Sequence, residues 1–308
     1  MSTGFRQTNW TDAGAPNLTG QVGALIPVLD KALGVTDLTN GWEKVYTATN
    51  IAVYRPRHGL RIYMRVDDTT TQYALIRFYE TMSDASTGTN IHPTVAQAAV
   101  YAFPKSATAD STVREYNFTA TDRWFVARIR YATFTGQGSS ENDDLVFAGE
   151  PISIQANDSY CWLARMRIAG IPSVAQNWSA TLSNTLSTWT NTADVWFWRN
   201  PAGTTISQGG SAFPKLSTFA NTNYGAAGGS FVHLPIYASS MVSTTPVVRA
   251  RLPFVYTTTV CNLDTGLKSG DTYSDAAGAT YIAVAADHNS TNICMYAIMT
   301  SDNEVGTP

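Results

Sequence analysis

Two adjacent carboxylate pairs, Asp67–Asp68 and Asp143–Asp144, are the residues whose type and spacing first suggest chemistry. Glycoside hydrolysis needs two carboxyl groups set roughly 5 to 9.5 Å apart across the scissile bond. Adjacent residues on a strand point to opposite faces, so neither doublet supplies such a pair by itself. Asp67–Asp68 reads as part of a turn. The segment SSENDDL, Ser139 to Leu145, reads as a solvated acidic loop; it offers oxygens but lacks the register of a calcium-binding EF-hand. The four histidines, His58, His92, His233 and His288, are scattered, with no HxH or HExxH spacing to form a metal site. Cys161, Cys261 and Cys294 form no CxxC pair. Cys161 and Cys294 sit in strand-like apolar runs, which predicts buried, reduced thiols, with a Cys261–Cys294 bridge as the alternative if their strands adjoin. The chain carries no GxSxG elbow, no GxxxxGK[ST] phosphate loop and no GxGxxG turn; the run GAAGGS, Gly225 to Ser230, reads as a flexible loop. No catalytic, cofactor-binding or metal-ligating residue is therefore assigned, no cofactor is expected, and the chain is read as a non-enzyme.

The aromatic residues are the remaining compositional signal, with 8 tryptophans and 15 tyrosines. Trp178, Trp189, Trp196 and Trp198 fall in one short stretch. Rings of this kind stack on sugars and also anchor subunit contacts. Trp196 and Trp198 share one strand face with Phe197 on the other, so part of the cluster must be core, and core or subunit interface is favoured over a sugar platform.

The elements that would position these groups are mainly β. After Gly41, segments Glu43–Thr47 and Ile51–Tyr54 can pair across a turn, and Leu60–Val66 with Tyr73–Glu80 makes a clearer hairpin of alternating apolar and polar residues. Further strands are expected at Arg123–Tyr131, Ser159–Ile168 and Asp194–Trp198, with long loops over 81–96 and 105–122. The best helix is TGQVGALIPVLDKALG, where Val22, Leu25, Ile26, Leu29 and Leu33 form one apolar stripe between a Thr19 cap and Gly34. Pro27 would kink or divide a helix of that length. Residues 1–18 read as an extended arm. These patterns predict antiparallel β-sandwich or jelly-roll-like sheets with a short N-terminal helix, organised as 1–40 (arm and helix), 41–170 (β domain) and 171–308 (a second β region). The last boundary is a soft one, marked by a composition shift near residue 170. Leu25, Ile26 and Leu29 of the helix and Trp178 and Trp189 of the middle are the candidate contact residues.

Composition narrows the partners. Charged residues are 14% and the formal net charge of the 308-residue chain is −3. Such a chain has no basic field for nucleic acid and no polybasic segment for an anionic membrane. No run approaches the roughly 20 apolar residues that span a bilayer, and the N-terminal MSTGFRQTNW lacks a signal-peptide core. Neither nucleic acid nor membrane is expected as a partner.

Several blocks resemble a family of tailed-bacteriophage particle proteins. At the N-terminal side these are Gly41–Trp42, the strand and turn RIYMRVDD, and Tyr79–Glu80–Thr81–Met82, followed by KSATADSTVREYNF. At the C-terminal side they are Arg249–Ala250–Arg251–Leu252–Pro253, Gly270–Asp271–Thr272–Tyr273 and Gly278–Ala279–Thr280–Tyr281. Phe254–Val255 departs from the Gly-Leu that follows LP in the family. The resemblance implies a virion structural protein (tail, baseplate, collar or capsid-associated), made in the bacterial cytoplasm and acting by symmetric assembly. Its partners would be further copies of itself and other virion proteins. A receptor- or glycan-binding or head-decorating module, with host surface glycan as partner, is the alternative, and a virion glycan hydrolase is the third reading.

Overall fold

A computed structural model describes residues 4–92, 101–130, 143–155, 158–168, 195–204, 206–213, 233–242, 245–261, 270–285 and 294–301. The fold is mainly β, with antiparallel sheets stacked like a sandwich and one short N-terminal helix among the described residues. In chain order the first elements are β1 (Arg6–Asn9), α1 (Leu25–Ala32), β2 (Trp42–Ala48), β3 (Ile51–Pro56), β4 (Tyr63–Asp67), β5 (Tyr73–Tyr79), β6 (Thr81–Met82), β7 (Gly88–Thr89) and β8 (Tyr101–Pro104). Then come β9 (Tyr116–Ala120), β10 (Trp124–Arg130), β11 (Asp143–Gly149), β12 (Ile152–Ser153), β13 (Leu163–Arg165), β14 (Arg167–Ile168) and β15 (Val195–Arg199). The last are β16 (Ile206–Phe213), β17 (His233–Val242), β18 (Thr245–Cys261), β19 (Thr272–Ser274), β20 (Thr280–Ala285) and β21 (Cys294–Met299).

A six-stranded sheet runs β14-β8-β5-β4-β3-β2, and a larger one runs β1-β9-β10-β11-β13-β15-β16-β17-β18-β21-β20-β19, with β12 added against β18. The larger sheet folds over itself, so that β10 and β11 face β18 and β20. Strands β9, β10 and β11 thereby become a middle layer buried on both faces. Phe125, Ala127, Ile129, Val146 and Ala148 point into a core shared with the six-stranded sheet and α1. Trp124, Val126, Leu145 and Phe147 point the other way, into a core with Leu252, Phe254, Tyr281, Val284 and Ala297. A strand covered on both sides needs a continuous apolar run rather than alternation, which is why β10 reads WFVARIR. The change in composition near residue 170 does not interrupt the hydrogen bonding: Leu163 pairs with Phe197, and Ile152 pairs with Arg251. The segment Cys161–Ile168 is two short strands in different sheets, β13 in the larger and β14 in the smaller, joined at Met166.

The expected loops at 81–96 and 105–122 contain strands. Thr81–Met82 and Gly88–Thr89 form a small hairpin, and Tyr116–Ala120 is β9. The arm is held by its own chain: Arg6–Asn9 pairs with Asn117–Ala120 along the edge of the larger sheet, and Leu18 is fully buried. Cys161 is a buried free thiol, pushed up to about 12 mainly by that burial. The backbone register sets Cys261 opposite Cys294.

The helix differs from its expectation in a way that Pro27 explains. It begins at Leu25, not beside Thr19, so Pro27 lies in the first turn, where a missing N–H leaves no bond unmade. Its end follows the sequence: Gly34, at φ +61°, closes a Schellman turn in which Val35 N–H donates to Asp30 O and Gly34 N–H to Lys31 O. Its start has no local cap; Ala24 occupies the N-cap position. The cap comes instead from Asp68, whose Oδ2 accepts the Leu25 N–H at 2.7 Å. The other carboxylate oxygen pairs with Lys105, and both side chains are fully buried. Lys105 Nζ also donates to Gln21 O (2.7 Å) and Thr70 O (2.9 Å). Burial pushes the Asp68 carboxyl up, against the pull of Lys105 and of the helix amides. Asp67, one residue earlier, points the other way and closes an Asx turn on Thr69.

Asp143 and Asp144 overturn the expectation of a solvated acidic loop. Both are buried at the start of β11. Asp143 accepts from Arg128 (2.8 Å) and Arg130 (3.0 Å), and Asp144 from Arg165 (3.2 Å). Gly270, at φ +94°, packs directly on the Arg128 guanidinium, where a side chain would collide. A third buried pair, Arg249 with Asp158 (2.8 and 2.9 Å), ties β18 to the turn before β13.

Two outcomes are expected. Asp68→Asn or Lys105→Met leaves one buried charge uncompensated and lowers unfolding free energy by about 3–5 kcal/mol, read in urea melts. His92 is sealed among Phe78, Tyr101 and Trp198, and burial pushes its imidazole down to about 3. The unfolded chain takes up that proton near pH 6.5. Stability is thus lost as pH falls from about 6.5 toward 3, by up to about 1.4 kcal/mol per unit. The fall in urea midpoint between pH 7 and pH 5 is smaller for His92→Gln than for the wild-type chain.

Candidate functional site

None of the five predicted contact residues is shown on a free surface. Leu25 and Leu29 are fully buried in the core shared by α1 and the six-stranded sheet, and Ile26 is partly buried against it. The apolar stripe of an eight-residue helix is thus spent on its own fold, which corrects its assignment as a contact face. Trp178 and Trp189 lie outside the described residues. Farther along the same stretch, Phe197 and Trp198 go to opposite cores, as the alternation on β15 requires.

Among the described residues, charged and aromatic side chains gather on the outer face of the six-stranded sheet. Its inner face is apolar: Ala52, Tyr54, Met64, Val66, Ala74, Ile76 and Phe78. The alternate residues look outward and form cross-strand rows. Glu43 stands opposite Arg55, and Tyr63 opposite Tyr79. In the next row Val53 faces Arg65, and Arg65 faces Arg77. The β6–β7 hairpin covers one part of this face, where Met82 packs on Val53 and Tyr79, and Tyr46 OH donates to Met82 O at 3.0 Å.

At one end of the face, a single carboxylate gathers three guanidiniums. Glu43 accepts from Arg55 Nε (3.0 Å) and Nη2, from Arg57 (3.3 Å) and from Arg61 (3.1 and 2.9 Å). Arg55 also donates to Tyr63 OH (2.6 Å) and lies over its ring. Partial burial raises the Glu43 carboxyl, but Arg55 and Arg61 outweigh it and hold the group below the usual carboxylate range. Nearby, Arg65 is matched by Asp67 (3.1 Å) and by Ala85 O (2.7 Å). Arginines that share one acceptor this closely form an ordered, hydrogen-bonding surface.

A second grouping lies on β17–β20. The rings of His233, Tyr273 and Tyr281 are nearly parallel, with His233 and Tyr281 centroids 4.1 Å apart, and Tyr256 meets His233 and Tyr281 edge-on. His233 Nε2 bonds Tyr273 OH (2.8 Å), and Tyr281 OH donates to Asp275 (2.9 Å). Burial pushes both tyrosines up and the imidazole down. The ring faces are largely taken by one another, so the cluster stiffens the β19–β20 hairpin. The sequence does carry its signal, in the two Gly-x-x-Tyr strands whose tyrosines pair in register. Of the histidines, His58 touches Thr39 O, His92 is buried, and His288 lies outside the described residues.

No family model matches the chain, and no curated protein matches it.

The Glu43 hub makes a direct expectation. Its depressed carboxyl supports stability above its unfolded pKa and loses that support as pH falls through the folded value. Glu43→Gln lowers the thermal midpoint at pH 7, and the gap to wild type closes in acid below the carboxylate range. A gap that persists at low pH would show that packing, not charge, sets the effect.

Proposed function

We propose that the chain is a structural component of a tailed-phage virion, which works by assembling with copies of itself and with other virion proteins. The observation that carries this reading is where the blocks that resemble phage particle proteins fall. They coincide with the joints of the frame. Trp42 is buried, with its indole N–H donated to Thr121 O at 3.0 Å. Gly41 allows a backbone approach to Gly34 that any side chain would block. The RVDD and KSATAD blocks supply the two halves of the Asp68–Lys105 pair. YETM supplies Tyr79 and Met82 of the small outer core, Arg249 makes a buried pair, and Gly270 makes room for Arg128. Residues of these blocks do architectural work, which is in keeping with a particle component whose task is to hold shape. Sparse charge favours close subunit packing, because few ions must be desolvated at a contact. Ring closure then multiplies a modest interface into a durable assembly.

The test pairs the solution mass of the purified chain with antibody labelling of virions made by the genome that encodes it. A defined oligomer, with label at one position on every particle, is expected. A monomer absent from particles would sink the proposal.

A further inference from the structure

The outer face of the six-stranded sheet holds a charge that the fold does not balance. Arg77 is only partly exposed and lies directly across β4–β5 from Arg65. Residues so paired have Cβ atoms about 4.5–5.5 Å apart, and like charges there repel. Arg65 is neutralised by Asp67 and also donates to Ala85 O. The Arg77 side chain makes no hydrogen bond or ion pair among the described residues. By contrast Arg55, Arg57, Arg61, Arg114, Arg128, Arg130, Arg165, Arg199 and Arg249 each face a carboxylate. An arginine on a partly exposed sheet position, set against a second cation and given no acceptor, is a poor choice for stability alone.

We propose that Arg77 is the receptor for one carboxylate of a partner protein, an Asp or Glu side chain that docks on the sheet beside Leu75. The flanking charges set the class of ligand. Asp67 stands in the adjacent row, opposite Leu75, and Glu43 lies farther along the face. A polyanion such as nucleic acid would meet those carboxylates, whereas a single side-chain carboxylate meets only the guanidinium. The planar fork of arginine binds a carboxylate through two parallel hydrogen bonds, which fixes orientation as well as position. The partly buried Tyr73 and Leu75 precede Arg77 on the same strand face and give an incoming segment apolar contact. This site depends on the assembly reading only for the partner's identity, so it is tested on the isolated chain.

The experiment uses the purified full-length chain and follows arginine Nε–Hε signals by NMR during titration with a blocked Gly-Asp-Gly peptide. The blocked Gly-Asn-Gly peptide is the control, at matched ionic strength. One saturable signal should move with the Asp peptide, fail to move with the Asn peptide, and be missing from the Arg77→Gln spectrum. The Arg77→Gln chain should also melt at or above the wild-type temperature, since an unbalanced cation has been removed. Equal movement with both peptides, a response retained in Arg77→Gln, or a melting temperature several degrees lower in that variant would each overturn the proposal. Loss of this site with particles still labelled would leave the virion reading standing, and the reverse result would leave the carboxylate site standing.

Discussion

The Asp68–Lys105 pair is the constraint on which the N-terminal half turns. One carboxylate does three things from full burial: it ends β4, caps a helix that has no cap of its own, and neutralises a lysine whose ammonium also binds two carbonyls. A buried ion pair is rarely a net gain over a well-packed apolar substitute, because both ions must leave water. Its worth here is geometric. Apolar residues could fill the same volume, but they would not fix where the helix starts, how the turn at Thr69 leaves the sheet, and where the segment after β8 is tied.

The same device recurs in the middle layer. Arg128 with Asp143 and Arg165 with Asp144 are buried pairs that join neighbouring strands, and Arg249 with Asp158 ties β18 to the turn before β13. Low overall charge sharpens their effect, since charged residues are only 14% of the chain and few positions can dictate register by charge. A buried arginine that must find one particular aspartate penalises every slipped pairing, since a register slip would strand a charge in the core.

Much of the architecture was legible in the chain. Alternation in RIYMRVDD and YALIRFYE gave the β4–β5 hairpin, and Gly34 gave the helix end. The helix start was not legible, because its cap is supplied from Asp68, and local pattern cannot see a partner so far along the chain. The acidic doublet at Asp143 misled for the same reason: the charges that bury it, Arg128 and Arg165, become neighbours only when the sheet forms. The stretch YNFTA hid β9 because its Thr and Asn resemble loop residues until strands pair on both sides. For the contact surface, the sequence signal pointed to the helix stripe and the tryptophans. The outer sheet face carries Arg55, Arg65 and Arg77 on three consecutive strands, which become neighbours only once register is set.

The middle layer also bears on how the chain is made. Trp124, Val126, Leu145 and Phe147 are covered by β18, β20 and β21, and Ile152 must wait for Arg251 before β12 can pair. On a ribosome that emits the chain from its N-terminus, this apolar face stays bare until β18, β20 and β21 have emerged. Nascent chains would meet one another in that interval, and their safe passage would rest on chaperone capacity and on the pace of translation.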